Sequence, residues 1–151
     1  MIKNNHKSAF TFIEVIVVIS VIAILITISA ISISRTRSQA RDLQRLNDIK
    51  EIRLALELYY RDTKTYPLNL HPGEPLHNPL NPNITYLEKI PSNPPYSKNE
   101  PCNNADYLYV FNYNTEGPPY YLAFCLENNV SEYNSGEHCA SPDYIGYGPC
   151  F

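Results

Sequence analysis

Residues 10–33 read FTFIEVIVVISVIAILITISAISI, from Phe10 to Ile33, and this stretch decides the fold. From Val15 to Ile33 it carries no charged residue. At ~1.5 Å per residue a helix of that length nearly crosses a hydrocarbon core of ~30 Å, so the stretch reads as a membrane span. Its β-branched residues lower helix propensity in water. In lipid, however, every backbone N–H and C=O must be bonded within the segment, and helix is the solution open to a single segment.

Glu14 interrupts the apolar run one turn inside its start. A carboxylate at membrane depth costs roughly 2.5–3.5 kcal/mol on insertion scales. No Lys or Arg lies within a turn of it, but Phe10 stands four residues back on the same helical face. Cleavage between Ala9 and Phe10 would leave a free α-amine on Phe10, largely cationic at neutral pH, and so supply the missing positive charge.

The segment Lys7-Ser8-Ala9-Phe10-Thr11-Phe12-Ile13-Glu14-Val15 resembles the class III leader junction of type IV pilins and pseudopilins. The resemblance implies a prepilin peptidase that cuts after the small residue, here Ala9 in place of the usual Gly, and methylates Phe10. It also implies that Glu14 guides assembly. Many type IV pilins carry a Pro where this chain has Ile31. A second stretch, Ala55 to Pro67, is similar to the helix exit of major pseudopilins, with Tyr59, Asp62, Tyr66 and Pro67 in register and Thr63-Lys64 in place of an Asn-Gly turn.

The chain has 151 residues, no Trp, one Met, 13 Tyr and 13 Pro. That size suits one small domain plus appendages, and the aromatic, Pro-rich composition suggests short strands and loops. The four cysteines, Cys102, Cys125, Cys139 and Cys150, all fall in the last third, which points to disulfides in an exported head. Three connectivities are possible; the pairing favoured is Cys139–Cys150 with Cys102–Cys125. A C-terminal loop bounded by cysteines resembles the D-region of type IV pilins. The net charge of −3 is segregated, with a basic leader (Lys3, Lys7), a basic neck and an acidic head. Arg35, Arg37 and Arg41 outnumber the leader lysines and by charge counting favour the opposite orientation. The cysteines and the leader motif decide for an N-terminus inside.

Beyond the span, Leu43, Leu46, Ile49, Ile52, Ala55, Leu56 and Tyr59 recur at three and four, predicting an amphipathic helix whose stripe covers a sheet. Leu54 and Leu58 form a second stripe, read as a contact to neighbouring subunits. The charges among them, Asp42, Asp48, Glu51 and Glu57 with Arg41, Arg45, Lys50, Arg53 and Arg61, are read as i,i+3 and i,i+4 pairs that solvate the neck. The helix must stop before Pro67. Most prolines fall in residues 67–101, which predicts a surface connector with one helical turn at Ile84–Ile90. Strands are expected at Asp106–Tyr113 and Tyr120–Glu127, joined as a hairpin, with short strand character around Tyr144–Tyr147. The fold class is therefore α+β: a long N-terminal helix, half transmembrane and half amphipathic, on a small antiparallel sheet, type IV pilin-like. The divisions are leader 1–9, hydrophobic helix 10–34, amphipathic helix 35–62, connector 63–101, and disulfide-bonded sheet and loop 102–151.

The cysteines lack C-x2-C spacing, His71 and His77 have no second ligand at metal spacing, and His138, although it abuts Cys139, is not read as a zinc ligand. No metal or other cofactor is expected, although Glu137 and Asp143 could offer oxygens to a calcium ion of the kind some major pseudopilins hold. No nucleophile, base and orienter come together in a recognisable frame, which predicts no enzymatic activity. Asn83-Ile84-Thr85 and Asn129-Val130-Ser131 fit glycosylation sequons.

The resemblance implies a structural filament subunit held in the cytoplasmic membrane and then exported into a cell-surface or periplasmic fibre. Its partners would be membrane lipid before assembly, prepilin peptidase, a membrane assembly platform and identical subunits. The alternatives are a minor pilin whose head binds a surface or DNA, a type II secretion pseudopilin, and an uncleaved anchored domain. The acidic head argues against nucleic acid, which is bound mainly through Lys and Arg.

Overall fold

The computed structural model describes residues 10–95, 107–112 and 118–150, without the side chains of residues 28–32. The chain divides into two compact units, Met1–Arg37 and Ser38–Phe151. Helix α1 (Phe12–Thr63) contributes residues to both.

In the first unit, Val15, Ile16, Val17, Val18 and Ile19 are all exposed. Five successive residues advance ~400° around a helix axis, more than a full turn, so this part of α1 is apolar on every side. Ser20 and Thr27 turn their hydroxyls inward, donating to the carbonyls of Ile16 (2.7 Å) and Ala23 (2.8 Å). The expected span runs on through residues 28–32, whose side chains lie outside the described ones. Over the described residues no helix is long and apolar enough to cross a membrane.

In the second unit, the rest of α1 lies on a four-stranded antiparallel sheet formed by β3 (Leu108–Phe111), β4 (Tyr120–Leu126), β5 (Gly136–Ala140) and β6 (Ile145–Tyr147), in that spatial order. Leu46, Ile49, Ile52, Ala55, Leu56 and Tyr59 form one buried cluster with Tyr120, Leu122, Phe124 and Leu126, the alternate residues of β4. The α+β class and the helix-on-sheet arrangement are as the periodicity predicts. Both expected strands are present as β3 and β4, paired from Leu108↔Ala123 to Phe111↔Tyr120. β6 occupies the expected short strand.

Four expectations need correction. Leu43 is 57% exposed and outside the buried stripe. Seven residues before Ile49 stands Asp42, and it is Asp42 that takes the inward position. Asp42, Arg45 and Asp48 are buried rather than solvating the neck. In place of a helical turn at Ile84–Ile90, β2 (Thr85–Leu87) pairs with β1 (Leu76–His77). The two-residue β1 fits between Pro75 and Pro79, and the chain reverses through Asn78, whose Oδ1 accepts from the N–H of Leu80 (2.8 Å) and Asn81 (3.1 Å). Lastly, β5 is a strand where none is expected, between Glu127 and Tyr144.

Helix α1 ends at Thr63, before Pro67 as expected, and the small β1–β2 sheet is tied to this end. The Tyr86 hydroxyl donates to Asp62 (3.0 Å) and accepts from Asn78 (2.7 Å). The Arg61 guanidinium, and then Tyr86, hold the Asp62 carboxyl below its ordinary range.

Candidate functional site

The residues singled out for processing and assembly gather at the start of α1. Ala9 lies outside the described residues; Phe10 is 81% exposed. Thr11 precedes the helix, and its carbonyl accepts the first intrahelical bond, from Val15 N at 3.4 Å. The Thr11 hydroxyl accepts from the N–H of Glu14 (3.3 Å). The Glu14 carboxylate in turn accepts from the Thr11 N–H (3.4 Å) and its hydroxyl (3.5 Å). This is a reciprocal capping box, satisfying two backbone donors that the helix cannot satisfy itself. Glu14 also sits where the positive end of the helix dipole favours an anion.

Glu14 thus has a nearer partner than the cation that its place in an apolar run calls for. The signal was present, since Thr11-Phe12-Ile13-Glu14 fits the pattern Ser/Thr-x-x-Glu ahead of an apolar run. Chemically, the contacts are long and exposed, so the carboxylate can exchange them for another donor at little cost.

A second grouping, absent from the sequence reading, holds the sheet-bearing unit together. The Arg45 guanidinium is buried and meets Asp42 Oδ1 at 2.6 Å and Glu127 Oε1 at 2.7 Å. Its remaining N–H groups donate to Asn93 Oδ1 and to the Pro94 carbonyl, each at 3.0 Å. Asp42 accepts from the backbone N–H of Glu127 and Asn128, both at 2.8 Å, and from the Asn128 amide at 2.9 Å. Arg41 closes the set by a bidentate pair with Glu127. These contacts join the helix, the Pro-rich connector and the end of β4. The Asp42–Arg45 spacing is visible in sequence; Glu127, 86 positions from Arg41, is not.

Of the cysteines, Cys139 and Cys150 form a disulfide that fastens the chain after β6 back to β5. Cys125 is also disulfide-bonded, and Cys102, its expected partner, lies outside the described residues. Glu137 and Asp143, the two oxygen donors considered for calcium, are exposed. Among the described residues no three His, Cys, Asp or Glu side chains converge as metal ligands would.

Compared with family models, residues 4–30 match the prokaryotic N-terminal methylation motif. The matched segment contains Ala9, Phe10, Thr11 and Glu14, and it supports the type IV pilin and pseudopilin family. No curated protein and no solved structure matches the chain.

Proposed function

Because the chain carries the prepilin methylation motif of the type IV pilin and pseudopilin family, we propose that it is a structural subunit of a type IV pilus-like filament. It is inserted in the cytoplasmic membrane with its N-terminus inside, trimmed after Ala9 by prepilin peptidase, and extracted by an assembly platform. It then polymerises through α1 with identical subunits. The division into leader 1–9, hydrophobic helix 10–34, amphipathic helix 35–62, connector 63–101 and sheet 102–151 follows that life cycle, and Cys102 pairs with Cys125.

The observation that carries this reading is the run Val15–Ile19, apolar and exposed on all sides of the helix. Water does not tolerate such a surface; lipid covers it before assembly and neighbouring helices after. Within the fibre Glu14 gives up its cap on Thr11 and pairs with the Phe10 amine of an adjacent subunit. The pair between carboxylate and ammonium, in which both partners are ionised, is stronger than the long contact to the Thr11 N–H (3.4 Å), which favours the exchange once the subunits meet.

Two variants separate the roles of Glu14. Gln serves in a capping box as Glu does but carries no charge. Glu14→Gln therefore keeps membrane insertion and the helix start but loses fibres, as Glu14→Ala does, when imaged from cells. Normal fibres from Glu14→Gln would overturn the charge role. Mass spectrometry of the native polypeptide should find N-methylated Phe10 as its first residue; a chain beginning at Met1 would overturn the processing step.

A further inference from the structure

On the side of the sheet carrying β5 and β6, a cavity of about 300 Å³ is lined by Glu132, Tyr133, Asn134, His138, Ile145 and Tyr147. That is the lower end of the range for small-ligand sites. Three of its six lining residues are aromatic. His138 is buried and stacks on Phe124, with ring centroids 5.2 Å apart and planes 22° apart. Tyr133 and Tyr147 stand nearly perpendicular to the imidazole, at 81° and 80°, with centroids 5.8 and 5.5 Å away. The three rings make an angular box rather than a flat stack.

The box is held in place from several directions. Nε2 of His138 donates to the Asn134 carbonyl at 2.7 Å, fixing the ring, while Nδ1 is buried and has no hydrogen-bond partner among the described residues. Tyr147 lies opposite His138 in the β5–β6 register, and the Cys139–Cys150 disulfide closes the loop that carries it. Tyr147 also leans over Gly136, where a Cβ would come within 3.3 Å of its ring. Any side chain at Gly136 (φ +117°) would push this wall aside.

The electrostatics select the ligand. Glu132 carries the one formal charge among the lining Asp, Glu, Lys and Arg side chains, and no Lys or Arg lines the cavity. Burial, and then the Glu132 carboxylate beside it, raise the Tyr133 phenol above its ordinary range, against a smaller opposite pull from Arg53, which lies outside the lining. Aromatic faces present negative potential to a cation, and a carboxylate at the rim adds to it. Glu132 is exposed at the rim, and the Nδ1 atom of His138 is buried. Three aromatic rings and a rim carboxylate suit an organic cation, and with Nδ1 buried the rings offer it cation–π contact in place of hydrogen bonds, which a quaternary ammonium does not need.

We propose that this box is a binding site for a quaternary ammonium group, either as a free cation or at the end of a phosphocholine headgroup. The site is independent of the filament reading above, since none of its residues belongs to α1.

The test is titration of the full chain, carried in maltoside micelles, with tetramethylammonium, followed by aromatic NMR of Tyr133 and Tyr147. The expected result is saturable shifts at both rings and binding about tenfold tighter than that of the uncharged isostere 3,3-dimethylbutan-1-ol. Tyr147 is 70% exposed, so removing it leaves the core intact. Tyr147→Ala should weaken binding about tenfold while Tyr147→Phe retains it, and Glu132→Gln should weaken it about fivefold. Equal binding of the uncharged isostere, an unaffected Tyr147→Ala, or no saturable shift would each overturn the proposal. Choline and glycerophosphocholine are then compared: tighter binding of either supports the site and assigns the source.

Discussion

Asp48 illustrates how one buried side chain sets a pH dependence. Its carboxylate accepts from the Tyr107 hydroxyl at 2.7 Å. Burial pushes its pKa above the ordinary value of 3.8, more than the Tyr107 hydrogen bond pulls it down, and Glu51 adds to the rise. A carboxyl whose pKa is raised on folding favours the folded state while protonated. That contribution is complete below pH 3.8 and is lost as pH climbs through the raised value. At neutral pH the ionised group therefore works against folding. Asn in its place keeps an acceptor for Tyr107 and removes the ionisation. Asp48→Asn should thus raise the thermal midpoint at pH 7, and the gain should vanish as the pH falls below 3.8; a gain that stays constant with pH would contradict this account. None of it is legible in sequence, where Asp48 reads as one more neck charge. Thr11 and Glu14, by contrast, are legible at this scale because a capping box is a local pattern.

Among the elements, α1 was the most readable and its C-terminal end the most specific. Leu46, Ile49, Ile52, Ala55, Leu56 and Tyr59 are buried as their spacing requires. Leu54 is 62% exposed and Leu58 half-buried, so part of the second stripe lies on the surface. β5 escaped notice because Gly136-Glu137-His138-Cys139-Ala140 has neither β-branched residues nor clean alternation; its pairing with β4 from Leu122↔Ala140 to Leu126↔Gly136 makes it a strand. At the end of α1 the Thr63 hydroxyl donates to the Tyr59 carbonyl at 2.7 Å, and Lys64 N donates to the Tyr60 carbonyl at 2.8 Å. Lys64 then adopts φ 60°, the left-handed conformation usually given to Gly after a helix. A side chain there costs ~1–2 kcal/mol, offset in part by the smaller entropy that Lys loses on folding. Lys64→Gly should therefore stabilise the protein by about 0.5–1 kcal/mol in chemical denaturation. A loss of stability would mean that the Lys64 side chain makes a contact worth more than the strain.

For the molecule as a whole, the buried charges decide how three segments remote in sequence stay together. Sequence periodicity conveys which face of a helix is apolar, but not that Asp42 and Arg45 continue that face inward as a charged pair. The pairing depends on Glu127 arriving from β4 and on Asn93 and Pro94 arriving from the connector. Around Arg45 the formal charges balance: two guanidinium groups, Arg41 and Arg45, against two carboxylates, Asp42 and Glu127. Such a set contributes little beyond what apolar packing of the same volume would, because desolvation offsets the attraction; removing one member is another matter. Arg45→Met leaves two buried carboxylates facing a single remaining guanidinium, and should cost about 3–5 kcal/mol. Arg45→Lys keeps the charge but not the planar fork that reaches Asp42, Glu127, Asn93 and Pro94 together, so its cost should fall between wild type and Arg45→Met. If the cluster acts as one unit, adding Asp42→Asn to Arg45→Met must cost much less than the sum of the two single changes, since the acid then no longer needs its partner. Additive losses in chemical denaturation of the full chain would show instead that these contacts act independently, and that the apolar stripe alone holds the helix on its sheet.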